Sequence, residues 1–404
     1  MSRSVVIVGA GITGTLTAVR LRRAGWDVTV IEARYVGAGS SSRTAAGIRQ
    51  QFSTPETVLG MRYSVDIYRR FPEEVGGLVV PIVENGYLFL LRDGLQAAAE
   101  RVEMQRSCGL REVELLDPQA TARRFPFVDS QEIVGATWCP SDGFLRPEIV
   151  YGEAAASARS RGVEFAVGAP VDAARHRNGR LDGVRAGGRW FEADLYIDAT
   201  NAWSPRLANV LQGTPLPIDP LKRYLWFAAR GGQMTAAELM SMPMVVTPGG
   251  AYCHPENGET LMMGWAHRAS PEPDFVDADQ DRVEAAFDHR AGPDSKAYEA
   301  WLALAELMPP LGEFNGVRAT TSGFYASTPD HNPFLGYDPA IPNLMRLVGF
   351  SGHGAMFGPF TARVAECLAE AGGDVATVEV LGRDVPIAAF GMKRVFEAHE
   401  QMVI

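Results

Sequence analysis

The chain opens on a continuous apolar run, Val5-Val6-Ile7-Val8, and passes at once into Gly9-Ala10-Gly11-Ile12-Thr13-Gly14. An unbroken β-branched run predicts a strand covered on both faces, as in a parallel sheet. From Ile12 to Ala24 the pattern is helical, with Leu16, Val19 and Leu21 set among alanine and arginine, and Gly25 supplies the stop. Val28-Thr29-Val30-Ile31 predicts a second buried strand ending at Glu32, which completes a β-α-β unit. Near the other end, a helix is predicted from Pro359 to Ala371, with the proline suited to its first turn. Polar stretches at Arg268 to Arg282 and Asp288 to Ser295 read as surface connections or helix ends. There is no internal repeat and no low-complexity tail.

The glycines of the first unit have separate tasks. Gly9 permits a tight turn, Gly11 lets backbone approach a pyrophosphate, and Gly14 allows the helix to pack close on the strand. The helix N-terminus adds N–H donors and the positive end of a dipole. Glu32 stands where a carboxylate accepts both ribose hydroxyls and repels a 2′-phosphate, so the unit predicts FAD or NAD and argues against NADP. A second such glycine motif is absent, as is any CxxC pair, which argues against the two-nucleotide disulfide-reductase plan.

Composition narrows the chemistry. At 404 residues the chain is long enough for two or three lobes. Its 38 basic and 48 acidic residues give a formal charge of −10, which argues against nucleic acid or an anionic membrane as partner and for a small molecule. Cys108, Cys139, Cys253 and Cys367 are far apart, and the seven histidines form no HxxxH or HExxH pair, so no metal is expected. Neither an apolar run of about 20 residues nor a secretory signal pattern occurs, so a cytoplasmic location with no membrane span is expected.

Beyond Glu32 the chain runs through Ala33 and Arg34 to Gly37-Ala38-Gly39-Ser40-Ser41-Ser42-Arg43-Thr44-Ala45-Ala46-Gly47-Ile48-Arg49-Gln50-Gln51-Phe52. Here the sequence resembles the FAD-dependent D-amino-acid oxidase superfamily, in particular its glycine oxidase, sarcosine oxidase and dye-linked proline dehydrogenase catalytic subunit branch. Further stretches resemble that family in its own order: Ser141 to Pro147 leading into a helix at Glu148 to Gly162, Val163 to Val171, Ala193 to Ser204, Ser327 to Gly336, and Gly349 to Gly354. The resemblance implies an α/β fold, an FAD-binding Rossmann-type domain with a discontinuous α+β substrate domain containing a mainly antiparallel sheet. It assigns 1–75, 146–205 and 315–404 to the first, and 76–145 and 206–314 to the second.

FAD is the implied cofactor. The residues implied to hold it are Gly9, Gly11, Ile12, Thr13, Gly14, Glu32, Ala33, Ser40, Ser41, Ser42, Arg43, Ala46, Gly47, Ile48, Val171, Thr200, Trp203, Gly323, Gly352, His353, Gly354, Ala355 and Met356. Attachment should be non-covalent, because Gly323 and Thr44 stand at the family's cysteine and histidine attachment positions. Arg49 matches the arginine that binds carboxylate in sarcosine oxidase, while Tyr325 replaces the glycine oxidase arginine and Met356 a second, lysine partner. Arg49, Tyr252, Tyr325 and His353 are therefore the expected catalytic set. Met262 matches a lysine that promotes reaction with oxygen, so an electron acceptor other than oxygen is a plausible alternative to it.

The implied activity is oxidation of the C–N bond of a small carboxylated amine: glycine, sarcosine or another N-substituted glycine, or proline. Hydride would pass to flavin N5 and the imine would hydrolyse. The alternatives are a flavin-holding electron-relay or structural subunit of a larger complex, and a 2-hydroxy-acid oxidoreductase. Oligomeric state is left open.

Overall fold

The computed structural model describes residues 3–265, 295–396 and 400–402. The polar stretches singled out above lie outside the described residues, except Ser295, whose side chain caps the helix Lys296–Ala305.

The first β-α-β unit forms as its pattern dictates, with strands Ser4–Val8 and Asp27–Glu32 flanking the helix Ile12–Arg23. They sit in a six-stranded sheet whose order is Phe334–Tyr337, Leu344–Val348, Leu195–Asp198, Ser4–Val8, Asp27–Glu32, Glu164–Val167. Every neighbouring pair is parallel except the first. Side chains alternate across a strand, so an apolar run must be covered twice. Val5 and Ile7 meet Leu16, Val19 and Phe357, whereas Val6 and Val8 meet Leu181, Val184 and Phe191 of a small antiparallel sheet.

A second, eight-stranded sheet runs Val317–Ser327, Asp219–Ala229, Thr260–Trp265, Ala251–Asn257, Met244–Val246, Tyr87–Leu91, Gly135–Cys139, Glu114–Leu116. Only Met244–Val246 and Tyr87–Leu91 pair in parallel. One face buries Tyr224, Trp226, Met263 and Cys253 against Trp301 and Leu304. The opposite face carries Tyr87, Leu225, Met244, Val246, Tyr252 and Met262. Residues 317–327, grouped by motif order with the FAD-binding segments, run in this sheet beside Asp219–Ala229.

The late helix differs from its prediction. It spans Gly354–Ala371, so Pro359 lies inside it rather than in its first turn. Proline has no N–H and cannot serve the carbonyl four residues back, which here belongs to Ala355. The helix Pro55–Arg69 supplies the missing partners: the Tyr68 hydroxyl donates to the Ala355 carbonyl, and Ser64 Oγ accepts from the Phe360 N–H at 3.2 Å. Ser64 and Tyr68 are one turn apart on one face. One turn earlier, Gly60 leaves room for the Phe360 ring, which a methyl there would meet at 2.8 Å. A bend that would end an isolated helix is thus braced, and the N-terminus at Gly354 is carried to the site.

Candidate active site

A cavity of about 390 Å³ lies between the two sheets, running from Glu32 and Val171 past Gly9, Ser41 and Thr200 to His353, Tyr325, Tyr252 and Arg223. Backbone geometry shapes its first half. Gly9 has φ +107°, and a methyl there would meet the Ala199 carbonyl oxygen at 2.7 Å. One on Gly11 would meet Ser41 Oγ at 2.8 Å, and one on Gly14 would lie 1.9 Å from the Gly9 carbonyl oxygen. The N-cap Gly11 has no side chain to cap the helix that starts at Ile12, and Ser41 Oγ, itself on the wall, accepts the Ile12 N–H at 3.0 Å, so the helix N-terminus lies at the cavity. Glu32 accepts N–H bonds from Ala10 and Arg34, both at 2.9 Å, which hold its carboxylate at the cavity wall. On the other flank the buried Asp198 accepts from Thr200 N at 2.9 Å, Ser204 Oγ at 2.7 Å and Arg346 Nε at 2.9 Å, fixing Thr200 on the wall. A glycine cradle, a helix N-terminus and an anchored acid fit the pyrophosphate and ribose of FAD.

The far half is built by pleat. On Asp219–Ala229 the side chains of Arg223 and Leu225 face the cavity while Tyr224 and Trp226 go into the opposite core. Gly264 lies opposite Leu225, and a methyl there would sit 2.3 Å from the Tyr252 hydroxyl, so the glycine admits the Tyr252 ring. Gly352, with φ +93°, makes room for the Tyr325 ring in the same way. The two phenols share a hydrogen bond, and burial raises both above the ordinary phenol range, so both stay protonated at neutral pH. His353 is held well below the ordinary imidazole range by burial and by the Arg49 charge, and is neutral. Because a guanidinium only donates, Arg49 Nη2, 3.3 Å from His353 Nε2, makes that nitrogen an acceptor and leaves the proton on Nδ1.

Most residues expected at the cofactor line this cavity, among them Ile12, Thr13, Ala33, Ser40, Arg43, Gly47, Trp203, Gly323, Gly354, Ala355 and Met356, as do Tyr252, Tyr325 and His353. Gly14, Ser42, Ala46, Ile48 and Arg49 do not. Gly14 packs on the Gly9 turn, Ser42 is exposed with its hydroxyl on the Gly39 carbonyl at 3.3 Å, and Ala46 and Ile48 belong to the core of the nucleotide-binding sheet. Arg49 is completely buried behind His353, where it donates to the Gln51 and Met402 carbonyls and stacks 3.9 Å over Phe52. Met262 is likewise buried, packed with Tyr252 and Met244 behind the wall. Sequence reasoning missed Tyr87, Arg206, Arg223, Leu225 and Met244 on the wall. For the strand residues the signal that could have found them is alternation, since Arg223 and Leu225 are two apart.

Cradle, acid and phenolic end together describe a dinucleotide-dependent redox site. Residues 4–368 match the family model described as FAD dependent oxidoreductase, and the chain belongs to that family. It is an enzyme and a flavoprotein with FAD as cofactor. Among similar proteins is FAD-dependent oxidoreductase domain-containing protein 1 of Xenopus laevis, 28% identical over 91% of this chain and 79% of that protein. L-proline dehydrogenase from P. horikoshii superposes with TM-score 0.80 at 26% identity, covering 96% of each chain. Glycine oxidase from Geobacillus kaustophilus shares the fold, with TM-score 0.75 at 21% identity over 98% of this chain and 100% of that one. Among the described residues no helix is long and apolar enough to cross a membrane, and no cluster of metal-ligating side chains occurs.

Proposed function

We propose that the enzyme oxidises the C–N bond of a small carboxylated amine, of the class that includes glycine, N-substituted glycines and proline, to an imine that water then hydrolyses. One observation carries the reading: among the described residues the sole carboxylate on the cavity wall is Glu32, at the ribose end, while the opposite end presents Arg223 and three protonated phenols, Tyr87, Tyr252 and Tyr325. Such an end suits an anionic substrate and supplies no acidic side chain as proton acceptor. An amine that binds neutral needs none, because its lone pair drives expulsion of the Cα hydrogen with its electron pair. When bound, FAD accepts that hydride. The chain's own part is orientation and electrostatics. The helix N-terminus at Gly354 presents its positive end where negative charge builds up.

A 2-hydroxy acid would fit the same anion-binding end but must lose its hydroxyl proton to a base. His353 is the sole imidazole on the wall among the described residues, and its accepting nitrogen is already occupied by Arg49, which favours the amine. FAD is held without a covalent bond in this reading, since none of the cysteines lines the cavity and a methyl on Gly323 would already meet Arg43 Cβ at 2.9 Å. No lysine lines the wall among the described residues, which supports an acceptor other than oxygen. The test is product stoichiometry: with an artificial acceptor, one carbonyl product should form per acceptor pair-reduced from a carboxylated amine. Acceptor reduction without a carbonyl product would refute the reading.

A further inference from the structure

We propose that Arg223, flanked by Tyr252 and Tyr325, is the residue that takes the substrate's carboxylate, and that Arg49 is a buried structural cation. This deepens the reading of the cavity as an amine-oxidising site and rests on it. The two arginines differ in position and in the groups around them. Arg49 spends its donors on the Gln51 and Met402 carbonyls and on His353, and it has the carboxylates of Glu400 and Asp142 near enough to feel its charge. Its Nε is buried without a hydrogen-bond partner, but Arg49 is not on the cavity wall, so that donor does not face the cavity.

Arg223 is on that wall and lacks such partners. Its Nε is buried with no hydrogen-bond partner, its Nη1 makes one long contact of 3.3 Å to the neighbouring Lys222 carbonyl, and no carboxylate among the described residues pairs with it. A half-buried guanidinium with no counter-ion is costly, and an arriving anion removes the cost. The position is also cleared for it: the residue directly across the ladder is Gly323, so no side chain covers the fork from that strand. The Tyr325 ring lies 5.7 Å from the Arg223 guanidinium carbon, and the Tyr252 hydroxyl reaches Tyr325 from across the sheet. A planar fork with protonated phenols beside it matches a planar carboxylate, which accepts two parallel N–H bonds and an O–H bond at once. The pyrophosphate of FAD has its own site at the Gly9 to Gly14 turn, at the other end of the cavity. A carboxylate held at Arg223 would place the attached Cα between the eight-stranded sheet and the helix turn at His353 to Met356.

The test is a titration of the FAD-loaded protein with benzoate, which is not oxidised, followed by the perturbation of the visible flavin spectrum, with uncharged benzamide as control. Wild-type protein should bind benzoate. Arg223→Met should weaken benzoate at least about tenfold, the loss of one bidentate charge-assisted contact, while changing benzamide less than threefold. Arg223→Lys, which keeps the charge without the fork, should fall between the two, and it decides the matter if the methionine variant does not retain FAD. Equal benzoate affinity in the wild type and these variants overturns the Arg223 assignment and leaves the proposed reaction standing. Wild-type protein that binds neither benzoate nor any carboxylated amine overturns the assignment together with the reading it rests on.

Discussion

Tyr68→Phe removes one oxygen from a fully buried side chain whose hydroxyl donates to the Ala355 carbonyl, the group that Pro359 leaves without a helical partner. The ring stays, so packing is unchanged and the loss is that of a hydrogen bond to a buried acceptor, about 1–3 kcal/mol. With unfolding entropy of about 2.1 cal/mol/K per residue, that corresponds to roughly 1–3 °C in Tm for a chain of this length. A double-mutant cycle isolates the cause. Pro359→Ala restores an N–H that the Ala355 carbonyl can accept, so in that background Tyr68→Phe should cost less, by a coupling of about 0.5 kcal/mol or more. The assay is urea denaturation of the FAD-loaded protein in all four forms. An equal cost of Tyr68→Phe in both backgrounds would refute the brace and leave the hydroxyl with an ordinary packing role. Because Ala355 and Met356 line the cavity, the same substitution should also shift the visible flavin spectrum.

Other consequences are as direct. Gly14→Ala puts a methyl 1.9 Å from the Gly9 carbonyl oxygen, so purified variant should carry little FAD and melt lower; full flavin content would contradict the close packing of helix on strand. Acid denaturation of wild-type protein should release all its FAD into the supernatant, and flavin left on the polypeptide would show an attachment residue other than those at 323 and 44. Burial raises the Asp142 carboxyl from 3.8 to about 6 despite N–H bonds from Gln50 and Gln51. The folded form therefore holds a proton that the unfolded form has lost, and stability from this group is full below pH ~4 and declines by roughly 3 kcal/mol as pH rises through ~6. Subtracting the stability profile of Asp142→Asn from that of wild type should expose that slope, and a difference that rises with pH over the same interval would reverse the assignment.

How far the fold could be read from the chain depends on the range of each signal. The β-α-β unit is local: its β-branched run, glycines and acid lie within 32 residues, and each acts on its neighbours, so strands, helix and turn fall where the pattern puts them. The wall at the other end is not local. Arg223 faces the cavity because of the register of Asp219–Ala229 against strands about a hundred residues later, and a slip of one would turn it to the opposite core. Arg49 shows the converse: its place in a glycine- and serine-rich stretch matched a family pattern, but the Met402 carbonyl that takes its donor is 353 residues away. Pro359 misplaced a helix start because the Tyr68 and Ser64 partners that tolerate it belong to another helix. Local pattern located the glycine cradle; tertiary register decided that Arg223 faces the cavity.

The central claim is tested most directly by anaerobic mixing of the FAD-loaded protein, in the absence of any acceptor, with glycine, sarcosine, proline and lactate in turn. Loss of visible flavin absorbance with at least one of the three carboxylated amines, saturating with its concentration and absent with the corresponding amide, is the predicted result. Flavin that stays oxidised with all three, or is reduced by lactate alone, would contradict the account.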